Sequence, residues 1–302
     1  MRVVFMGTPD FAVGSLQALF DDPRHEVPLV VTQQDKPVGR RQILTPPPVK
    51  QLALAHGAEV YQPATLKTPE AFERLSALRP DVMVVAAYGK ILPKSILDIP
   101  RYGCVNLHGS ILPRYRGAAP IQWTVINGEK ETGVTTMLMN EGIDTGDILL
   151  VKTTPVGEDE TSGELFDRLA ALCPDLLMET LERLEEGSVV PQKQNDADAT
   201  YAPSLSRELS WIDWNLPAET IHNRIRGLAP WPLALTEVAG KRLKLFSSRK
   251  TDEKPQGNGT FFAKKEGLFA VCGDGRVLFL PEVQAEGAKR MTSAEFLRGN
   301  KL

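Results

Sequence analysis

The chain has 302 residues, of which 42% are hydrophobic and 24% charged, and its formal net charge is −3. This length supports a full hydrophobic core and favours two domains over one. No segment reaches the roughly 20 apolar residues of a membrane-spanning helix, and residues 1–8 lack the long apolar region and cleavage site of a signal peptide. We therefore expect a cytoplasmic protein without a membrane partner. Separately, we expect a monomer, although nothing in these sequence features determines the oligomeric state.

The three cysteines, Cys104, Cys173 and Cys272, are scattered and odd in number. They fit neither a disulfide framework nor a CxxC metal pattern, and we expect no bound metal. Cys104 lies close to Asn106, so a reactive thiol is one interpretation. The other, which we favour, is a small apolar residue of a strand.

The first 155 residues alternate short apolar runs with helical stretches. Hydrophobic patterning, Gly/Pro punctuation and capping residues predict strands and helices in regular succession. The strands are predicted at 2–7, 27–32, 59–62, 81–88, 104–108, 133–139 and 148–155, and the helices at 10–20, 49–56, 69–78 and 118–127. This alternation predicts a Rossmann-like α/β fold, with a mostly parallel sheet covered by helices on both faces.

The chain changes character after residue 160. Thr161 to Glu164 form a capping box that opens a long helix to about residue 185, so we interpret Glu164 as structural. Polar, aperiodic sequence follows, and we place a linker at 189–207, after a catalytic domain at 1–188. Beyond the linker, a helix at 218–226 and short strands such as 242–246 and 276–280 predict a small β-barrel of the oligonucleotide-binding (OB) type at 208–302.

Charge is distributed unevenly between the two predicted domains. Residues 241–302 contain 13 Lys and Arg against 7 Asp and Glu, a local net charge of +6, so residues 1–240 carry −9. A basic domain on an acidic body suggests a polyanionic partner for that domain. A solvated charged surface explains the charge equally well.

The turn after the first predicted strand is the natural place for a dinucleotide fingerprint. Residues 7–12 contain no GxGxxG, and no acidic residue ends the second strand in the expected way, so a nicotinamide cofactor is disfavoured. The turn could still offer backbone N–H groups to a ligand. A plain strand-to-helix turn explains it at least as well.

An amide and an imidazole lie two residues apart at the end of a predicted strand. Asn106 and His108 point to the same face of an extended segment, at the edge where open α/β sheets place their chemistry. The Gly-rich acidic loop 139–147 can add the carboxylate of Asp144, which would favour a protonated imidazole. The amide could then donate to an oxyanion. A structural histidine and an Asx-turn aspartate remain alternatives. We find no nucleophile elbow, so the spacing favours direct transfer assisted by acid–base groups.

Three sequence blocks carry a resemblance to a known family. Residues 106–117, with Asn106, His108 and a Ser-Ile-Leu-Pro turn, resemble the signature of the folate-dependent formyltransferases, and residues 133–146 resemble the family's second block. Relatives that formylate glycinamide ribonucleotide or amino sugars share both blocks. The basic, proline-bounded stretch 32–50 resembles the loop by which tRNA-directed members enter the acceptor arm of initiator tRNA. The resemblance extends over essentially the whole chain.

The resemblance implies an activity and a set of site residues. The activity is transfer of a formyl group from 10-formyltetrahydrofolate to the α-amino group of methionyl initiator tRNA, with no metal. Asn106 would stabilise the oxyanion, His108 would share in this and move protons, and Asp144 would orient His108. The folate would contact the turn and the main chain of an earlier loop at Ser110, Ile111, Leu112, Pro113, Tyr88, Gly89 and Ile91. The tRNA would contact an insertion loop at 33–49 and its flank through Lys36, Arg40, Arg41 and Lys50.

Three points stay open at this stage. Either Arg40 or Arg41 could be the principal tRNA determinant. The acceptor could instead be a small amine such as an amino sugar nucleotide, although the basic insertion and the basic C-terminal domain would then have no purpose. The chain could also be a non-catalytic RNA-binding protein, which the intact set of Asn106, His108 and Asp144 argues against.

Overall fold

The computed structural model describes residues 1–39, 41–257 and 259–302, which form two compact units. The first unit contains residues 1–117, 133–153 and 166–201, and the second contains 118–132, 154–165 and 202–302. The second unit thus includes two segments, 118–132 and 154–165, that precede the predicted linker. Among the described residues, no helix has the length and apolar composition needed to cross a membrane.

The first unit is built on a seven-stranded sheet, whose strand order is β10-β9-β7-β6-β1-β2-β5. Strands β1, β2, β5, β6 and β7 run parallel, and β9 pairs antiparallel with β7. The prediction of a mostly parallel α/β sheet is confirmed. The strands before residue 203 are β1 (Arg2–Gly7), β2 (Glu26–Val31), β3 (Lys36–Val38), β4 (Ile43–Thr45), β5 (Val60–Tyr61), β6 (Val82–Ala86), β7 (Cys104–His108), β8 (Arg116–Gly117), β9 (Glu131–Leu138), β10 (Ile148–Pro155) and β11 (Tyr201–Ala202).

Two helices begin at the capping residues that the sequence indicated. Thr68 accepts a hydrogen bond from the Ala71 main chain, and Thr161 and Glu164 form the reciprocal capping box. Glu164 is therefore structural, as predicted. The helices are α1 (Val13–Asp21), α2 (Pro48–Ala55), α3 (Pro69–Ala77), α4 (Lys94–Leu97), α5 (Pro120–Ile126), α6 (Ser162–Glu186), α7 (Ala218–Gly227) and α8 (Ser293–Arg298), with 3-10 turns at Asp10–Ala12, Asp196–Asp198 and Arg207–Ser210.

Strand β1 lies in the middle of the sheet and is buried on both faces. Val4 and Met6 pack in one cluster with Leu75 of α3. Val3 and Phe5 point to the opposite face and are also fully buried. A strand covered on both sides has no need of alternating polarity, which is why the N-terminal sequence is continuously apolar.

The strand order reverses between β1 and β6. From β1 the chain builds β2 and β5 on one side, then returns to add β6 and β7 on the other. Ligands of open α/β sheets bind at the carboxyl ends of strands beside such a reversal. Here these ends are Gly7, Ala86 and His108. A Cβ on Gly7 would lie 3.0 Å from the Ala86 carbonyl oxygen, so the close approach of the two strand ends requires glycine.

The second unit contains two four-stranded antiparallel sheets, ordered β12-β13-β18-β19 and β14-β17-β16-β15. The prediction of a separate C-terminal domain of short strands, given above as a small OB-like barrel, is confirmed, and its strands pair antiparallel. Helix α7 packs against α5 so closely that a Cβ on Gly227 would lie 2.9 Å from the Ile126 nitrogen. The strands are β12 (Ala234–Val238), β13 (Lys241–Leu245), β14 (Arg249–Thr251), β15 (Phe261–Lys264), β16 (Gly267–Val271), β17 (Val277–Leu280), β18 (Glu282–Ala285) and β19 (Met291–Thr292).

Candidate active site

Asn106 and His108 both lie on β7, at the carboxyl edge of the sheet beside the reversal. Both side chains are buried, and their i, i+2 spacing on a strand places them on one face. Asn106 is 9% exposed, so its amide lies near the surface of this edge, where it can meet a bound group.

The His108 ring is held by a main-chain carbonyl. Its Nε2 donates to the Tyr115 oxygen at 2.9 Å, which leaves Nδ1 without a hydrogen when the ring is neutral. Nδ1 lies 3.7 Å from Asp144 Oδ2, beyond hydrogen-bond length. The imidazole thus presents a proton-accepting nitrogen towards a carboxylate, and the carboxylate can stabilise the charged ring once that proton is taken up.

Asp144 reaches the histidine from a strained loop position. Its backbone is left-handed, with a φ of +54°, which is uncommon for a residue other than glycine. The Gly117 amide donates to Oδ2 at 2.8 Å. The structure therefore brings together all three residues of the trio that the sequence suggested, and their catalytic role remains a proposal.

The turn after β7 is held by a residue that the sequence did not reveal. Thr135 is fully buried on β9, opposite His108. Its hydroxyl donates to the Ser110 carbonyl at 2.6 Å and accepts from the Leu112 amide at 3.2 Å. The Ser110 hydroxyl itself donates to the Arg114 carbonyl at 2.7 Å. Ser110 therefore shapes the turn from inside, and a lone threonine on a strand carries no sequence signal for such a role.

The loop after β6 offers main chain rather than the tyrosine ring. Tyr88 is buried in the core, where burial raises the pKa of its hydroxyl to about 12. Its carbonyl accepts from Gln33 Nε2 at 2.8 Å and lies 3.4 Å from the Thr8 hydroxyl. Gly89 is left-handed and Ile91 is exposed. At Tyr88 the predicted folate contact can therefore involve the main chain but not the buried ring. The contacts predicted at Gly89 and Ile91 stay predictions.

The basic insertion contains a two-stranded hairpin, β3 and β4. Lys36 and Arg41 are exposed, and Arg40 lies outside the described residues. Lys50 differs from both, because its ammonium donates to Asp35 at 2.9 and 2.8 Å and to Gln62 at 2.8 Å. These contacts use the three donors of a lysine. In this structure Lys50 therefore anchors the hairpin base and has no spare donor for a phosphate.

The interpretation of Cys104 as an apolar strand residue agrees with the structure. Its thiol is buried on β7, and burial raises its pKa to about 12. The nucleophilic form of cysteine is the thiolate, which this environment disfavours. In the residues that the structure describes, we find no cluster of three or more His, Cys, Asp or Glu that could hold a metal ion.

Part of the predicted linker contacts the site. Gln194 Nε2 donates to the main-chain carbonyls of Asp144 at 2.9 Å and Gly146 at 2.7 Å. Arg116 donates to Gln194 at 2.9 Å and to Asp196 at 2.8 Å. The polar composition that suggested a linker comes partly from side chains that hydrogen-bond the loop carrying Asp144. Their partners lie some 50 to 80 residues away in sequence, so local patterning could not identify them.

The fold and the edge define a class of protein. An open α/β sheet that presents an amide, an imidazole and a carboxylate at its carboxyl edge is suited to group transfer with acid–base assistance. Residues 1–181 match the formyl transferase family, and residues 204–301 match the formyl transferase C-terminal domain. The chain belongs to the formyl transferase family.

The chain is similar over its full length to curated relatives. It is 52% identical to the methionyl-tRNA formyltransferase of Trichlorobacter lovleyi, across 100% of this chain and 95% of the relative. It is 48% identical to the protein of the same name from Caldanaerobacter subterraneus, across 100% and 98%. Solved structures share the fold at lower identity. The N-formyltransferase of Helicobacter canadensis, in complex with folinic acid and dTDP-3-aminofucose, is 20% identical with a TM-score of 0.71, across 94% of this chain and 99% of that one.

Proposed function

We propose that this protein transfers the formyl group of 10-formyltetrahydrofolate to the α-amino group of methionyl initiator tRNA, giving N-formylmethionyl-tRNA for translation initiation. The observation that carries the proposal is the convergence of Asn106, His108 and Asp144 at one sheet edge, in a chain that aligns end to end with relatives named methionyl-tRNA formyltransferase. The reaction would place the protein in the cytoplasm, and we propose that it acts as a monomer.

Asn106 stabilises the charge that develops on the formyl oxygen. The neutral amine adds to the formyl carbon, and the former carbonyl oxygen becomes an oxyanion. The Asn106 side chain is mostly buried at the carboxyl edge of the sheet, where its amide can donate to this oxygen. Removing one donor of this kind typically costs about 10²- to 10³-fold in rate.

His108 and Asp144 handle the proton that the attacking amine must lose. With Nε2 held by the Tyr115 carbonyl, Nδ1 is the ring atom that accepts this proton. The carboxylate at 3.7 Å then stabilises the imidazolium. The same proton can move on to the departing folate nitrogen. His108 acts as a proton carrier, and Asp144 orients it and balances its charge.

The main-chain groups around the edge fit a flat folate heterocycle. Residues 86–91 run along the carboxyl end of β6, with Gly89 in the left-handed conformation and Ile91 exposed. The turn 110–113 is held rigidly by Thr135 from below. We propose that the folate lies between these two segments and takes its hydrogen bonds from the main chain.

The hairpin β3–β4 supplies basic and apolar surface for the acceptor arm. Lys36 and Arg41 are exposed and can contact phosphates. Val38, Ile43 and Leu44 are each more than half exposed. Exposed apolar side chains on a basic hairpin suit contact with unstacked bases as well as with the backbone. Lys50 positions this hairpin through Asp35, and Arg40 remains a predicted contact.

The second unit supplies a basic strand. Lys241, Arg242 and Lys244 of β13 are exposed, while Leu243 and Leu245 between and beside them are buried in the core. This alternation presents cations outward from a fixed strand. We propose that β13 contacts tRNA phosphates, so that binding weakens as salt rises.

The test is a transfer assay that compares amine acceptors. The purified chain, with 10-formyltetrahydrofolate, is offered charged initiator tRNA, charged elongator tRNA for methionine, and an amino sugar nucleotide. Efficient formylation of the initiator tRNA alone supports the proposal. Preferential formylation of the sugar nucleotide would identify a small-amine formyltransferase, and tRNA binding with no transfer to any acceptor would identify an RNA-binding protein. Light scattering of the free protein checks the monomer.

A further inference from the structure

Asp144 is held by a closed ring of contacts within the first unit. The Gly117 amide binds its carboxylate at 2.8 Å, and the preceding residue, Arg116, donates from Nε to Gln194 Oε1 at 2.9 Å. Gln194 Nε2 completes the ring by donating to the Asp144 carbonyl at 2.9 Å. The side chain and the main chain of Asp144 are thus fixed from the same two neighbouring segments.

The orientation of the Gln194 amide is determined by its partners. Two carbonyl oxygens, of Asp144 and Gly146, face one end of the amide, and the Arg116 guanidinium faces the other. Only the NH₂ group can serve the carbonyls and only the oxygen can serve the guanidinium, because a carbonyl cannot donate and arginine cannot accept. The reversed amide would lose all three contacts.

Arg116 fixes Gln194 in turn. Its side chain is only 2% exposed, so its charge must be paired within the protein. The other partner, Asp196, is 84% exposed and adds a solvent-screened contact. Gln194 is therefore the connection between a buried cation and the catalytic loop.

We propose that Gln194 is a positioning residue for Asp144. Its two hydrogen bonds hold the main chain at a residue that adopts a left-handed conformation, with a φ of +54°. Such a conformation persists only when surrounding contacts impose it. By holding the main chain of Asp144 in this conformation, Gln194 sets the direction in which the Asp144 carboxylate faces His108. The kinetic part of this inference rests on the proposed function, whereas the structural part does not.

Gln194→Glu separates the contacts of Gln194 with the Asp144 loop from its contact with Arg116. Glutamate keeps an acceptor for Arg116 and strengthens that contact, yet it cannot donate to the carbonyls of Asp144 and Gly146. Gln192→Ala is the matched control, because it removes a glutamine two residues away whose contacts with Ile148 are made by the main chain. Both proteins are first compared with the wild type by melting temperature.

The first readout is amide hydrogen exchange, which does not require turnover. Because the Gly117 amide donates to the Asp144 carboxylate, we expect it to exchange about tenfold faster in Gln194→Glu than in the wild type, and unchanged in Gln192→Ala. Unchanged exchange in Gln194→Glu would overturn the proposal whatever the activity. If the wild-type protein shows no formyl transfer but the Gly117 amide still exchanges faster in Gln194→Glu, the positioning role is supported and the proposed function is rejected.

The second readout is the split between kcat and KM. In Gln194→Glu we expect kcat to fall about 100-fold, the scale of a 1 Å misplacement, with KM for both substrates nearly unchanged. In an Asp144→Asn background the same change should cost less than about threefold, because two residues that act through one contact are not additive. A kcat near that of the wild type in Gln194→Glu, or an equal loss in Gln192→Ala, would contradict the proposal.

Discussion

Each compact unit of this protein buries one histidine, and the two rings are bonded differently. In the second unit, His222 has both nitrogens within hydrogen-bond distance of a partner, with Nδ1 at 2.9 Å from the Ser248 hydroxyl and Nε2 at 3.1 Å from the Glu158 carbonyl. In the first unit, His108 Nε2 has such a partner, while Nδ1 faces Asp144 from 3.7 Å.

The difference distinguishes a structural histidine from one suited to proton transfer. A ring bonded at both nitrogens is held in one tautomer and gains nothing from a change of charge. Burial accordingly lowers the pKa of His222. Asp159, at 3.4 Å, acts to raise this pKa, but the positive charges of Arg226 and Lys250 act to lower it. The ring of His108 keeps one nitrogen for chemistry beside a carboxylate. Burial by itself therefore does not separate the two histidines. A ring nitrogen that faces a carboxylate at the carboxyl edge of the sheet does, and it makes His108 the candidate for proton transfer.

Replacing His108 should give the largest effect. We expect His108→Ala to lower kcat by about 10³-fold, because the proton carrier is lost, while tRNA binding and melting temperature change little. Steady-state transfer and a tRNA binding assay measure this. His56→Ala, at an exposed histidine, is the control and should retain full activity. Near-normal turnover in His108→Ala would show that His108 is not the proton carrier, and the proposed contrast with His222 would be wrong.

Asp144→Asn should cost less than the loss of the imidazole. The amide keeps an acceptor for the Gly117 hydrogen but no longer stabilises a charged ring, so we expect a loss of about 10²-fold in kcat with unchanged tRNA affinity. The two substitutions combined should be strongly non-additive. Additive losses in single-turnover experiments would mean that His108 and Asp144 act independently.

Charge reversal in the hairpin should separate acceptor binding from chemistry. We expect Arg40→Glu with Arg41→Glu to raise KM for tRNA at least about tenfold and to reduce the slope of log affinity against log salt by about 2, with kcat and folate KM retained. The single variants then show which arginine dominates. Lys67→Glu reverses an exposed charge elsewhere in the first unit and serves as control. Unchanged tRNA kinetics in the double variant would exclude the hairpin as a tRNA contact.

His222 should give the smallest effect, on stability rather than rate. The pKa of His222 is lower in the folded state, so the unfolded chain binds more protons. The contribution of His222 to the free energy of unfolding is therefore full above the ordinary histidine pKa of 6.5 and declines as the pH falls below that value. From pH 8 to pH 5, we expect the melting temperature of His222→Gln to fall by about 2–4 °C less than that of the wild type, with kcat unchanged. The carboxylates titrate alike in both proteins and cancel. An identical pH dependence would show that the pKa of His222 is the same in the folded and the unfolded state.

Several features of this chain could be predicted from local sequence. The bounds of β1, β7 and β10 coincide with the apolar runs that predicted them, because a strand buried in a sheet must be continuously or alternately apolar. The capping residues of α3 and α6 act within one helical turn and were equally visible. Asn106 and His108 share a strand, so their spacing alone placed them on one face.

The same sequence concealed contacts made across long separations. Thr135 supports the turn after β7 from another strand, and Lys50 is paired with Asp35, although its charge suggested a phosphate contact. Gln194 contacts the loop that carries Asp144, from a segment whose composition indicated only a linker. Composition indicates whether a segment can bury apolar surface. It does not indicate which distant residue a polar side chain will contact.

The amino-acid sequence by itself determined the α/β class, the C-terminal domain of short strands and the residue types of the trio, because these follow from short-range periodicity and spacing. Only the tertiary structure decided the distance from His108 to Asp144, the ring nitrogen that faces the carboxylate, and the residues that hold the loop. Those features depend on backbone paths that meet after separations of tens of residues, where burial and hydrogen-bond satisfaction select the partners.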